Sequence, residues 1–346
     1  MFTVVDQGGQ VSPALPAGVG GTPLIEIEGI YVKLECLNPC GSVKDRLAAY
    51  ILAEAVRKGL LQPGQPIVEA TSGNTGIAFA YYGRQAGHPV TIVMPEHMTE
   101  ERKSLIRQLG ATLVLCSKEG SFAEAASIRD RIAAETGAYN PDQFANDLNV
   151  ECHRVTTGNE IIRQIAPSFA QPRNAAFVAG VGTGGTLIGV GEALRAAWGD
   201  ITLVAVEPAE AAVMTGGPNG PHGIGGIGDG FIPTIASDNA GGMHPSIKGV
   251  EVVSTDEAMA TAQELAERYS ICVGVSSGAN FAAARRLRDH YQPVITVFAD
   301  GHHKYHSAGL SEPANGECPF KITCGQSTLC NLLAGKFESS TSVKGV

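Results

Sequence analysis

The sequence predicts an α/β protein built on parallel sheets. Three observations predict it. Short β-branched runs alternate with helical patterns, glycine clusters follow several of those runs, and the composition favours burial. Of 346 residues, 44% are hydrophobic and 17% charged, which supports a substantial core and argues against disorder over most of the length. The length suits one large domain or two modest ones.

The alternation can be followed along the chain. PIVEA (66–70) reads as a strand, followed by a glycine turn and the helix IAFAYYGRQAG. VTIVMP (90–95) precedes the helix TEERKSLIRQLG, and TLVLC (112–116) precedes FAEAASIRDRIAAETG. NAAFVAG (174–180), a glycine loop and TLIGVGEALRAAW repeat the pattern. ITLVAVEP, EVVSTDEAMATAQELAERY and PVITVFAD continue it. Ligands of such folds bind beyond the carboxyl ends of strands, where the glycine clusters sit. Region 212–247 is rich in Gly, Pro, Asn and His with little periodicity; a loop of that length is usually functional. From 311 the α/β pattern is lost, and FESSTSVKGV reads as a mobile tail.

Charge and hydropathy exclude several classes. The net charge of −9 and the lack of a basic stripe argue against nucleic acid or an anionic membrane as partner. Apolar runs such as AAFVAGVG are too short to span a bilayer. The N-terminus MFTVVDQGGQ shows no signal-peptide pattern, so a cytoplasmic location is expected. Five of the eight cysteines are scattered through apolar or mixed segments, as suits reduced thiols.

Two glycine loops carry chemistry. GVGTGGT (180–186) lies between a strand and a helix, where backbone N–H groups bind phosphate. The alternative is a tight turn without a ligand. Gly180, Gly182 and Gly185 also match G-x-G-x-x-G, with Glu207 after the next strand, which on its own suggests an NAD-dependent dehydrogenase. A second polar loop, TSGNTG at 71–76, has no obvious place in a dehydrogenase.

In KLECLNPCGSVKDRLAAYIL (33–52), Asn38-Pro39 opens a turn and Ser42 is a candidate N-cap. Lys44 falls in the first helical turn, where the helix dipole disfavours its protonation. Schiff-base chemistry needs such an amine, although from this segment alone a solvated surface lysine, the usual fate of lysine, is the favoured reading.

In order, the chain carries LE-x-x-NP-x-GSVKDR, EATSGNTG, GTGGT and GVSSGA at 274–279, together with MPEHMTEERKSLIRQLGA, QFAND, TTGNEI and PHGIGGIGDGFIP. From GGTPLIEI (20–27) to about residue 307 it resembles the cysteine synthase (O-acetylserine sulfhydrylase) family of fold-type II pyridoxal-phosphate enzymes, with cystathionine β-synthase as a relative. The resemblance implies two doubly wound parallel-sheet domains with pyridoxal 5′-phosphate in the cleft between them. A smaller mobile domain would span 45–150, a larger one 10–44 plus 151–310, and a C-terminal extension 311–346. It also implies a homodimer.

Residue by residue, Lys44 matches the Schiff-base lysine and the acid–base group. Asn74 matches the residue bonded to the cofactor's 3′-oxygen. Gly182, Thr183, Gly184, Gly185 and Thr186 match the phosphate cup, and Ser276 the serine facing the pyridine nitrogen. Thr71, Ser72, Gly73 and Thr75, helped by Gln143, resemble the loop that grips the substrate carboxylate; capping of the following helix is the bland alternative. The implied reaction is β-replacement on O-acetyl-L-serine or a similar activated serine, through an α-aminoacrylate, with sulfide or another nucleophile. A catalytically silent binding protein of this fold would not need Lys44, Asn74 and Ser276 together.

Three departures bear on the substrate. Cys40 occupies the variable position of NP-x-GS, as a packed small residue or an exposed thiol. Asp229 stands in GIGDGF, where the family usually has a small residue; at the site's mouth it would repel an anionic nucleophile and favour a neutral or cationic one. Asp300, His302 and Lys304 stand in ADGHHKYHSAG, where the family carries a stretch like SGERYLS. They raise the alternative of a specialised synthase using an amine or unusual thiol. Cystathionine synthesis is less favoured, since no regulatory domain is appended. His302, His303 and His306 with Cys318, Cys324 and Cys330 lack the C-x-x-C spacing of familiar metal sites, so no metal is expected.

Overall fold

The computed structural model describes residues 3–5, 11–13, 15–118, 121–169, 172–238 and 240–310. Its strands are β1 (Thr3–Val5), β2 (Val11–Pro13), β3 (Leu24–Ile27), β4 (Ile30–Leu34), β5 (Ile67–Ala70), β6 (Val90–Pro95), β7 (Thr112–Cys116), β8 (Ala175–Gly180), β9 (Ile201–Pro208), β10 (Ile247–Val253) and β11 (Val294–Phe298). Its helices are α1 (Lys44–Arg57), α2 (Asn74–Gln85), α3 (Glu100–Gln108), α4 (Ser121–Thr136), α5 (Asp147–His153), α6 (Asn159–Ile165), α7 (Gly185–Trp198), α8 (Thr255–Tyr269) and α9 (Val275–Leu287).

The α/β expectation holds, with two main sheets. The larger has the order β10-β9-β8-β11-β4-β3, parallel except for the edge strand β3. The smaller is the parallel set β5-β6-β7. β1 and β2 pair antiparallel. Helices cover both faces of each main sheet, and the strand period of two divides the cores. Along β9, Val204 and Val206 enter the core shared with α8 and α9. Leu203 and Ala205 enter the core shared with α6 and α7. In the smaller sheet, Ile67 and Ile92 face α1 and α2, while Val68 and Val93 face α4.

Strand ends position the site. β5 ends at Ala70 and opens through residues 71–73 into α2. β8 ends at Gly180 and opens through residues 181–184 into α7. Region 212–247 is mostly irregular as expected, with one short 3-10 turn at Thr234–Ala236. Cys36, Cys40, Cys116, Cys152 and Cys272 are buried thiols, which resolves Cys40 as a packed residue. Among the described residues, no helix is long and apolar enough to cross a membrane. No group of three His, Cys, Asp or Glu among them is placed to hold a metal; Cys318, Cys324 and Cys330 lie outside the described residues.

Candidate active site

The two glycine loops and the lysine segment meet at one solvent-open cavity. Lys44, Thr71, Ser72, Asn74, Thr75, Gln143, Gly182, Thr183, Gly184, Thr186, Asp229 and Ser276 all line it. Gly73 and Gly185 stand behind the lining. A Cβ on Gly185 would lie 2.0 Å from Asn149 Oδ1, and one on Gly73 would lie 2.4 Å from Arg102 Cδ.

Lys44 opens α1, and its N–H donates to Ser42 Oγ at 3.3 Å. The half-in residue of the helix is Val43, one position later than the expected cap. Burial brings the Lys44 amine down to about 8, against the pull of Asp229. Desolvation is therefore the main cause of the low value, where the sequence pointed to the helix dipole. Burial raises Asp229 in turn, opposed by His222 and by Lys44.

The loop after β8 forms a tight cradle. A Cβ on Gly182 would stand 2.3 Å from the Gly226 carbonyl oxygen, so only glycine lets the two segments approach. Asn149 Nδ2 donates to Thr183 Oγ1 at 2.9 Å, and His153 Nε2 lies 3.2 Å from Thr186 Oγ1. Burial, then Lys44 and Arg46, lowers His153 to about 3, so its ring is neutral near pH 7. These hydroxyls and the N-terminus of α7 form a cradle that can hold an anion. Glu207, the residue that completed the dinucleotide pattern, accepts from the Met214 and Thr215 N–H groups and the Thr215 hydroxyl instead.

In the loop after β5, Thr71 Oγ1 accepts from the Gly73 N–H at 3.0 Å. Thr75 Oγ1 donates to Gln143 Oε1 at 2.6 Å, and Gln143 Nε2 donates to the Ala70 carbonyl at 3.1 Å. Asn74 makes no capping bond. Its Nδ2 donates to Asp300 Oδ2 at 2.8 Å, and its Oδ1 accepts from Lys304 Nζ at 2.8 Å. An amide nitrogen carries two hydrogens, so one remains for a ligand. Asp300 and Lys304 therefore act on the site through Asn74. Ser276, the second residue of α9, is buried.

Sequence reading missed Arg102, Phe144, Ile227 and Asn280, which also line the cavity. Asn280 Oδ1 accepts from the Gly180 N–H at 2.7 Å, and its Nδ2 donates to the Val297 carbonyl at 2.9 Å. The run SSGAN gave a signal, since an asparagine inside an apolar helix needs buried partners. Arg102 sits in a charged run that reads as a solvated face.

The profile of the family described as pyridoxal-phosphate dependent enzyme matches residues 15–300. A cysteine synthase of Staphylococcus aureus is 38% identical over 304 residues, covering 84% of this chain and 94% of that protein. The hydrogen sulfide-producing enzyme of Fusobacterium nucleatum superposes with a TM-score of 0.78 at 38% identity, covering 90% of this chain and 93% of that one. An O-ureido-L-serine synthase superposes with a TM-score of 0.77 at 36% identity, covering 86% and 96%.

Proposed function

The chain belongs to the pyridoxal-phosphate-dependent enzyme family, and on that premise we propose that its β-replacement takes O-acetyl-L-serine, or a similar activated L-serine, and adds sulfide or another nucleophile at the β-carbon. One observation carries the assignment. Lys44, its amine lowered to about 8, shares a cavity with the anion cradle, Asn74 and Ser276.

These residues fit the cofactor. Residues 182–186 would hold its phosphate, the free hydrogen of Asn74 its 3′-oxygen, and Ser276 its pyridine nitrogen. Pyridoxal phosphate, held on Lys44 until the substrate amine replaces it, would supply the electron sink that acidifies the substrate's α-C–H bond. Lys44, once released, takes the α-proton and later returns it; an amine near 8 is suited to both roles close to neutral pH. Thr71, Ser72 and Thr75 with the backbone of 71–75 hold the substrate carboxylate and orient the C–H bond; Gln143 fixes Thr75. Ser276 is neutral, so no carboxylate holds the ring nitrogen protonated, which favours elimination over transamination. Residues 45–150 would move as a smaller domain against 10–44 plus 151–310, in a cytoplasmic homodimer.

Asp229 favours a second reading of the nucleophile. A carboxylate facing Lys44 accepts a proton from a neutral thiol, amine or water and repels bisulfide. The hydrogen sulfide-producing relative, 40% identical in a structure of its aspartate-to-asparagine variant with α-aminoacrylate, makes sulfide release the reaction to test against sulfide incorporation. A matrix of donors (O-acetylserine, O-phosphoserine, L-cysteine) against sulfide, thiols, amines and water decides between them. Lys44→Ala should abolish turnover and the visible Schiff-base absorbance; an unchanged spectrum in that variant refutes the assignment.

A further inference from the structure

The cavity contains a cation that its own acids do not neutralise. Arg102, on α3, lines the cavity and is 5% exposed. Its Nε is buried and has no hydrogen-bond partner. Among the described residues no carboxylate stands within 4.0 Å of its nitrogens. Its guanidinium carbon lies 4.7 Å from the centre of the Tyr305 ring. Nearby Asp300 accepts at Oδ2 from Asn74 at 2.8 Å and from the Tyr305 hydroxyl at 2.9 Å, while its Oδ1 is buried without a hydrogen-bond partner.

The backbone makes room for this side chain on two sides. A Cβ at Gly73 would come within 2.6 Å of Arg102 Nε, and one at Gly225 within 2.9 Å of a terminal nitrogen. Arginine does not shed its proton in a protein, and although Arg102 shares a hydrogen bond with Tyr305, a buried cation without a carboxylate partner is costly. Its planar fork matches a carboxylate or phosphate. An anion that enters the cavity with the substrate would meet that need.

We infer that Arg102 receives the oxyanion leaving group of the substrate, a carboxylate or phosphate departing from the β-carbon. The inference rests on the β-replacement reading above. The α-carboxylate is assigned to the hydroxyl loop at 71–75, and Asp229 disfavours a free anionic nucleophile. The charge left to stabilise is the one that develops as the β C–O bond breaks. The electron pair of that bond goes to the departing oxygen beside Arg102, and the α-proton stays on Lys44, so no further reactant is required. A fixed donor aimed at developing charge acts mainly on the transition state.

The test uses full-length holoenzyme, wild type, Arg102→Gln and Arg102→Lys. The first half-reaction is followed by the change in visible absorbance with O-acetyl-L-serine, O-phospho-L-serine and β-chloro-L-alanine, whose leaving group is not an oxyanion. Arg102→Gln should lower kcat/KM for the preferred ester about 30- to 300-fold, in the range found for removing one oxyanion donor. It should change β-chloroalanine less than threefold, and Arg102→Lys should recover part of the loss. Inhibition by acetate or phosphate should weaken at least tenfold in Arg102→Gln, and the ester with the larger loss identifies which oxyanion the site takes. Equal losses with all three substrates, or unchanged anion inhibition, would overturn the assignment. If no substrate reacts with the wild type, the β-replacement reading fails by itself, and calorimetric binding of acetate and phosphate to the three holoproteins still decides the role of Arg102.

Discussion

Gly182→Ala separates the cradle from the rest of the site. The new Cβ would lie 2.3 Å from the Gly226 carbonyl oxygen, where real Cβ contacts stay above 3.0 Å, so the two backbones must part by at least 0.7 Å (3.0 less 2.3). Neither side yields easily. The Gly228 N–H donates to the Val181 carbonyl at 3.0 Å. Ile227 is 5% exposed, and its side chain already limits Gly180, where a Cβ would lie 2.6 Å away. Overpacking of this kind costs about 1–3 kcal/mol of stability. Displacing one or two backbone donors from a phosphate should weaken cofactor binding about 10- to 100-fold. The loop that moves also carries Asp229, so nucleophile selectivity should change with affinity. The assay is a spectroscopic titration of resolved apoenzyme with pyridoxal phosphate, paired with urea unfolding. Gly249→Ala is the control, since its Cβ meets only the Val204 methyl groups at 3.7 and 3.8 Å. If Gly182→Ala matches that control in both affinity and stability, the cradle argument is wrong.

Asp229 raises the Lys44 amine, so Asp229→Asn should lower it below about 8. The pH for half-maximal Schiff-base formation by the apoenzyme should move towards acid, and selectivity should shift towards bisulfide by about tenfold, the equivalent of one pH unit. An unmoved pH profile would show that the carboxylate does not reach Lys44. His153 gives a stability prediction. Its value in the folded protein, about 3, lies below the ordinary 6.5, so the unfolded chain takes the proton first and stability is lost as pH falls below 6.5. At pH 5 the loss is about 2 kcal/mol, at 1.36 kcal/mol per unit. His153→Gln should flatten the slope of unfolding free energy between pH 6.5 and 5; a slope identical to wild type refutes the assignment.

Local features of this fold were legible, and long-range ones were not. Alternating runs identified β5 to β11 because each strand and helix carries its own period. The pair β3 and β4 went unread, although LIEI and IYVKL flank Glu28-Gly29, whose φ values of 54 and 79 suit a two-residue hairpin turn. The helical stretch from Asp147 to Ile165, interrupted by a π-turn at Arg154–Gly158, was also missed. In the site, the 182–186 loop was legible from its own glycines between strand and helix, whereas Lys44 and Asn74 came from the resemblance, since the Lys44 segment alone reads also as a surface lysine. Arg102 was not, because its burial depends on Gly73, Gly225 and Tyr305, which lie in three distant segments. No local pattern records that meeting.

The position of Lys44 depends on charge buried two residues further along its helix. Arg46 donates to Glu35 Oε2 at 2.7 Å and Oε1 at 2.8 Å, and to Glu160 Oε1 and Oε2, each at 2.7 Å. Lys33 Nζ joins Glu160 at 2.7 Å. Burial pushes the Glu35 carboxyl up, yet Arg46 overrides it and leaves it near 2. Such a network adds little net stability over an apolar core, because desolvation offsets its Coulomb energy. Its geometry is strict, however, and breaking it by removing one partner costs about 3–5 kcal/mol. The network ties the first turn of α1 to the turn after β4 and to α6. On the proposed reading, the amine must hold its place both on the cofactor and after release. The backbone at Lys44 is therefore held by ion pairs that leave the amine itself free to move.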